Sequence, residues 1–117
     1  MRHHDRQTVF GRKLDERRAL LRSLARELIL RGSITTTLAR AKALRPFVER
    51  LITIARNDSI AARRIVSSRL GNDDAAVKAL VALATQRFAD RPGGYTRIVK
   101  LGKDRNAIAR ATIMFVE

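Results

Sequence analysis

Arg87-Phe88-Ala89-Asp90-Arg91-Pro92-Gly93-Gly94-Tyr95-Thr96-Arg97-Ile98-Val99-Lys100-Leu101 decides the fold, because it holds a helix end, a sharp turn, a strand start and a basic cluster together. Pro92 fixes its own φ and pushes Arg91 out of the helical region, while Gly93 and Gly94 allow positive φ without a Cβ clash. A helix arriving from the N-terminal side must therefore stop here. Tyr95 to Leu101 is aromatic and β-branched enough for a strand, with Tyr95, Arg97 and Val99 on one face and Thr96, Ile98 and Lys100 on the other. Neither face is purely apolar. Arg97 and Lys100 beside a glycine turn that lets backbone come close to a partner point to an anionic ligand near the sheet's end; a solvated edge hairpin would carry the same residues.

Upstream of this stretch, Val77, Leu80, Val81, Ala84 and Phe88 keep a helical period from Asp74 to Phe88. Asn72-Asp73-Asp74 starts that helix, and the paired aspartates read as caps for orphan amides and the dipole rather than as a metal or acid/base pair. A shorter helix runs from Ile60 to Leu70, opened by Asn57-Asp58-Ser59 and closed by Gly71. Before it, Leu38, Ala41, Leu44, Val48, Leu51, Ile52 and Ala55 define a helix to about Arg56, in which Pro46 predicts a kink or break near Arg45. Ser33 to Thr37 is β-branched and reads as a strand, and Thr37 caps the helix that follows. That junction offers free backbone N–H groups to an anion, with Arg40, Lys42 and Arg45 in the first two turns.

Toward the N-terminus, a helix is expected from an N-cap at Asp15 to about Arg31, closed by Gly32. Leu14, Leu21, Leu24, Ala25 and Leu28 share its inner arc, while Arg22 and Arg26 lie one turn apart on another face. Residues 1–13 carry Arg2, Arg6, Arg12 and Lys13 with only Val9 and Phe10 as bulky apolar residues, too few to offset ordering entropy. They are expected to be a basic arm, disordered until bound, ahead of one globular domain over 14–117. His3 and His4 on that arm read as phosphate contacts or bystanders, since no further metal ligand sits nearby at a useful spacing. Downstream, Gly102 to Asn106 reads as a loop and Arg110 to Val116 as a last strand with Ala111, Ile113 and Phe115 on one face.

The pieces add up to an α/β (α+β) chain: two layers in a single domain, about four helices packed on a small mixed three-stranded sheet, with the last two strands as a hairpin. A length of 117 residues suits one core. The formal net charge of +14 and sequence pI of about 11.7 make a polyanion the first partner to consider. Arg outnumbers Lys, and a guanidinium can hold phosphate bidentately and stack on bases, which favours nucleic acid. Without cysteine there are no disulfides, thiolate zinc sites or thiol catalysis. No apolar run approaches a membrane span and the first residues lack a secretory signal, so the protein is expected to be intracellular.

Taken together, Met1-Arg2-His3, Gly11-Arg12-Lys13-Leu14, Arg18-Ala19-Leu20, Ile34-Thr35-Thr36-Thr37-Leu38, Leu44-Arg45-Pro46, Arg63-Arg64 and Arg87 through Lys100 resemble bacterial large-subunit ribosomal protein seventeen. The resemblance covers nearly the whole chain. It implies a compact mixed α/β domain with a basic arm, bound to large-subunit ribosomal RNA among neighbouring ribosomal proteins, on the solvent side near the exit of the peptide tunnel. It implies no catalysis and no cofactor. The chain departs from the family in having Glu16-Arg17 before the Arg-x-Ala-Leu segment, and Asp104-Arg105-Asn106-Ala107-Ile108-Ala109 in the loop before the last strand.

The function expected is therefore a structural, RNA-binding constituent of the large ribosomal subunit, cytoplasmic in the ribosome. Its candidate RNA contacts are Arg2, His3, Arg6, Arg12, Lys13, Arg22, Arg40, Lys42, Arg45, Arg91, Gly93, Gly94, Arg97 and Lys100. The alternative is a helix-turn-helix DNA-binding regulator reading through Arg56 to Arg69, which the scatter of positive charge disfavours. An enzyme fits worse, since no phosphate loop or carboxylate constellation is present. Neither a membrane nor a small-molecule substrate is expected as a partner.

Overall fold

A computed structural model describes residues 11–117, with side chains from Leu14 onward. Among the described residues, four α-helices and three strands run in the order α1 (Gly11–Arg31), β1 (Ser33–Thr37), α2 (Leu38–Ala55), α3 (Ile60–Arg69), α4 (Asp74–Ala82), a π-helical turn (Leu83–Arg87), β2 (Thr96–Lys103) and β3 (Ala109–Phe115). The helices cover one face of the sheet, and α2 lies centrally, packed on all three strands and on the other helices.

Helix α1 buries Ala25, Leu28 and Ile29, with Leu21 and Leu24 packed beside them. It ends at Gly32, whose N–H still donates to the Leu28 carbonyl at 2.7 Å and whose φ of +88° then turns the chain out of the helix. The start differs from expectation: Asp15 is an exposed residue inside the helix rather than its N-cap, and Gly11 to Lys13 of the expected arm are helical. Leu14 is 42% exposed, so the inner stripe begins at Leu21. Residues 1–10, most of the expected arm, lie outside the described residues.

Strand β1 turns Ile34 and Thr36 inward and passes straight into α2, where the Thr37 hydroxyl accepts from the Arg40 N–H at 3.2 Å. Pro46 does not break α2, which runs continuously from Leu38 to Ala55. Pro46 and Lys42 are both exposed, so water can serve the carbonyl that the proline leaves without a helical donor. Ser59 and Asp73 cap α3 and α4, accepting from the N–H groups of Ala62 and Ala76 at 3.0 and 3.1 Å. The helix begun at Asp74 does reach Phe88, but its last turn is widened: the Phe88 N–H donates to Leu83, five residues back, at 3.1 Å.

The sheet has the order β1-β3-β2 and is antiparallel throughout, not mixed. β3 takes the centre, pairing with β1 on one side and β2 on the other, and its alternation keeps Ala111, Ile113 and Phe115 all buried. β2 and β3 form the expected hairpin, although β2 continues past a bulge between Lys100 and Gly102 to Lys103, so the connecting loop is shorter than the sequence suggests. Asp104 holds that loop from within, its Oδ1 accepting from the Asn106 and Ile108 N–H groups at 2.9 and 3.0 Å. Tyr95 and Phe88 close the core under the glycine turn, 0% and 1% exposed, with ring centroids 5.1 Å apart.

Candidate nucleic-acid interface

Several arginines that look alike in the sequence are engaged within the protein. Arg26 donates from Nη1 to the Leu70 carbonyl at 3.1 Å and faces Asp73 at 3.9 Å, bracketing the α3–α4 turn to α1. Arg56 donates to the Tyr95 hydroxyl at 3.2 Å and to the Ala89 carbonyl at 2.8 Å, fastening the end of α2 to the start of the glycine turn. Arg63 pairs with Asp58 at 2.8 Å. Of the arginines in the Arg56 to Arg69 region, Arg56 and Arg63 are thus engaged internally, while Arg64 and Arg69 on α3 are exposed.

Arg40, Lys42 and Arg45 do not converge on one anion. Arg40 and Lys42 are exposed on nearly opposite sides of α2, about 200° apart at 3.6 residues per turn. Arg45 is drawn to Glu49 at 3.6 Å, and Glu49 also holds Thr96. One of the amides at the helix start, that of Arg40, is already capped by Thr37. Lys100 joins Arg40 at this end of the sheet, since it pairs with Ala111 while Ala111 pairs with Thr36. Arg110, between Thr37 and Gly102, adds a cation here that the sequence reading left out.

The opposite end of the sheet is where cations gather. Arg87 from the π-helical turn, Arg91 from the loop and Arg97 from β2 line one cleft of about 560 Å³. The π-helical turn delivers Arg87, whose guanidinium carbon lies 5.6 Å from the centroid of the Phe88 ring. Arg91 is oriented by donating from Nε to the Gly93 carbonyl at 3.2 Å, which leaves both terminal nitrogens for a ligand. Arg97 pairs across the sheet with Met114 on the face away from the helices, and Met114, Phe115 and Val116 give the cleft an apolar side. Among the described residues, no carboxylate lies within ion-pair distance of these three arginines.

The glycine turn makes this grouping possible. Gly94 has φ +64°, a left-handed conformation, and nothing lies within 4 Å of where a Cβ would sit. The turn swings the chain from the end of the helix into β2, where the Val116 N–H donates to the Tyr95 carbonyl at 2.9 Å and ties the C-terminal end of β3 to it. Of the expected contacts, Arg91 and Arg97 line the cleft, with Gly93 and Gly94 in the turn between them, and Arg87 joins them although it was not among the residues singled out from sequence. Its place in the quoted stretch was visible; the face it takes depends on an i−5 turn that no periodicity announces. Arg22 stands apart, half-buried on α1, and Arg2, His3 and Arg6 lie outside the described residues, as do the side chains of Arg12 and Lys13.

Comparison with known proteins adds to the geometry. Residues 20–117 match the family described as Ribosomal protein L17. The chain is 49% identical to a large ribosomal subunit protein bL17 of a Hydrogenobaculum species, over all of both chains. It is 47% identical to the protein of that name from Thermomicrobium roseum, over 90% of this chain and 89% of the relative. The bL17 of a Sulfurihydrogenibium species is 45% identical, over 100% of this chain and 98% of the relative. Similarity on this scale, running through the α-helical layer, the glycine turn and both hairpin strands, means that this chain belongs to the ribosomal protein L17 family.

Proposed function

We propose that the protein is a structural constituent of the large ribosomal subunit, cytoplasmic in the ribosome, that binds and stabilises folded ribosomal RNA. The observation that carries the RNA-binding surface is the cleft where Arg87, Arg91 and Arg97 arrive from three different elements. Guanidinium groups fixed by separate elements present donors in several directions, which suits the phosphates of a folded RNA better than a single straight groove. The exposed cations at the other end of the sheet, Arg40 and Lys100, with the half-buried Arg110, give a second point of attachment.

Arg2, His3, Arg6, Arg12, Lys13, Arg22 and Lys42 are further RNA contacts in this reading, supported by their charge and by the family resemblance. A site near the exit of the peptide tunnel, among other large-subunit proteins, is the expectation that comes with the family resemblance. The relatives' names place them in the ribosome, and nothing in the family assignment suggests catalysis.

The test is retention on the particle. The protein should stay with large subunits through a high-salt wash, and replacing Arg87, Arg91 and Arg97 together with Gln should release it at lower salt while its circular dichroism is unchanged. Free protein after the wash with the unaltered chain would overturn the assignment. Equal retention of the triple variant would remove the cleft from it.

A further inference from the structure

We propose that the cleft of Arg87, Arg91 and Arg97 receives one unpaired nucleotide of RNA, its phosphate on the guanidinium groups and its base against the apolar side formed by Met114 and Val116. The proposal rests on the RNA-binding reading above and specifies what that site takes.

Shape is the first argument. The cleft is half open to solvent, and its volume of about 560 Å³ leaves room for one small group. Such a concavity accepts one protruding group. A duplex is convex and lays its phosphates along an open surface, so it could touch the rim of this cleft but leave its interior empty.

Chemistry is the second. A surface that only neutralises backbone needs cations and no apolar wall. Here Met114 and Val116 line the same cleft as three arginines, with Met114 directly beside Arg97 on the neighbouring strand, so a ligand in it meets both cations and apolar surface. A nucleotide has the same division, with an anionic phosphate at one end and a flat π-face at the other. Arg91, oriented by the Gly93 carbonyl, can use its terminal nitrogens on phosphate, while Arg97, projecting from the sheet beside Met114, can lay its guanidinium plane on a base. Glu117, the one acidic residue in the lining, offers nothing to a phosphate but can accept from an exocyclic amino group.

Rigidity is the third. The walls belong to ordered parts of the fold: Phe115 is 6% exposed, the Val116 N–H donates to the Tyr95 carbonyl at 2.9 Å, and Phe88, next to Arg87, is buried against Tyr95. The backbone that carries the lining is therefore already in place, and the entropy lost on filling the cleft falls on the exposed side chains of Arg87, Arg91 and Arg97.

The experiment compares RNA hairpins that are identical except for one bulged nucleotide, using 2-aminopurine at the bulge and fluorescence anisotropy with the full chain. The bulged hairpin should bind about tenfold or more tightly than the fully paired one, as expected for one stacked base, and the fluorescence of the bulged base should change on binding. Arg97→Gln and Arg91→Gln should abolish that preference while leaving weak binding to both hairpins. Equal affinity for paired and bulged RNA would overturn the proposal yet leave the RNA-binding reading standing. Absence of binding to any RNA, large-subunit RNA included, would overturn both. The paired-versus-bulged comparison uses the unaltered protein, so it decides the matter even if a variant fails to fold.

Discussion

Thr96 donates both its backbone N–H and its hydroxyl to one carboxylate oxygen of Glu49, at 3.1 and 2.8 Å, and so pins the first residue of β2 to the flank of α2. The same oxygen lies 3.6 Å from Arg45 Nε, which balances its charge from the solvent side. Thr96 is only 3% exposed, so its hydroxyl has no ready substitute in water. This contact, 47 residues apart in the chain, fixes where the glycine turn meets the sheet and therefore where Arg97 begins its path.

Glu49→Ala should accordingly destabilise the fold by about 2 kcal/mol, because two charge-assisted bonds are lost and a buried hydroxyl is left unpaired. Thr96→Val, which removes the hydroxyl bond alone, should cost about 1 kcal/mol. Urea unfolding of the two variants measures both. Equal stability of Glu49→Ala and the unaltered protein would mean that the carboxylate is dispensable to the turn.

Tyr95 is a core residue and not a platform for a base. Its ring is fully buried against Phe88, and its hydroxyl meets Thr53 Oγ1 and Arg56 Nη1, each at 3.2 Å. Tyr95→Ala should cost about 3–5 kcal/mol through the cavity it leaves. Tyr95→Phe should cost about 1 kcal/mol, since Arg56 keeps its bond to Ala89. Thermal melting of both variants tests this; a Tyr95→Ala protein that melts normally but binds RNA poorly would place the ring at the interface instead.

At Gly94 the conformation itself is the constraint. With φ +64° and open space around a notional Cβ, Gly94→Val should lose about 1–3 kcal/mol to backbone strain alone, and Gly94→Asn distinctly less, because asparagine tolerates the left-handed region. Chemical denaturation of the pair separates strain from crowding: crowding would penalise both side chains alike.

Arg26 holds α1 against the α3–α4 turn, and Arg26→Ala should cost about 1–2 kcal/mol by freeing the Leu70 carbonyl. Gly71→Ala should act at the same place, since its Cβ would come 2.8 Å from Arg26 Nη1 at a φ of +71°. A double-mutant cycle should give a coupling beyond additivity, because the clash disappears with the arginine. Strict additivity would show that the two act separately.

Binding to RNA should depend steeply on salt. If half of the net charge of +14 neutralises phosphates, affinity should fall about a thousandfold or more between roughly 50 and 200 mM salt. A titration of isolated protein with large-subunit RNA measures the slope, and a nearly flat line would exclude phosphate contacts as the main source of affinity.

Local chemistry carried much of this molecule. Thr37, Ser59 and Asp73 cap the helices that their side chains announced, Gly32 and Gly71 end helices in left-handed conformations, and the alternation of Ala111, Ile113 and Phe115 marks the buried face of β3. Each of these depends on a few neighbouring residues, so the sequence by itself determined the helices, the three strands and the hairpin. It also determined the need for an anionic partner, because net charge is independent of folding.

Tertiary structure alone decided how the arginines divide. Arg26, Arg56 and Arg63 are as charged as Arg87, Arg91 and Arg97, yet the first three engage their terminal nitrogens with a carbonyl, a hydroxyl or an aspartate of the folded chain, while the second three line a cleft, Arg91 bonding to Gly93 through Nε alone. Whether a guanidinium faces its own protein or a ligand depends on what other segments bring within 3 to 4 Å, and periodicity along one helix says nothing about that. The same holds for strand order and for the widened turn before Phe88. Both are settled by long-range packing: β3 is central because β1 pairs with it from 77 residues away, as the Thr35 and Thr112 hydroxyls on the outer face record.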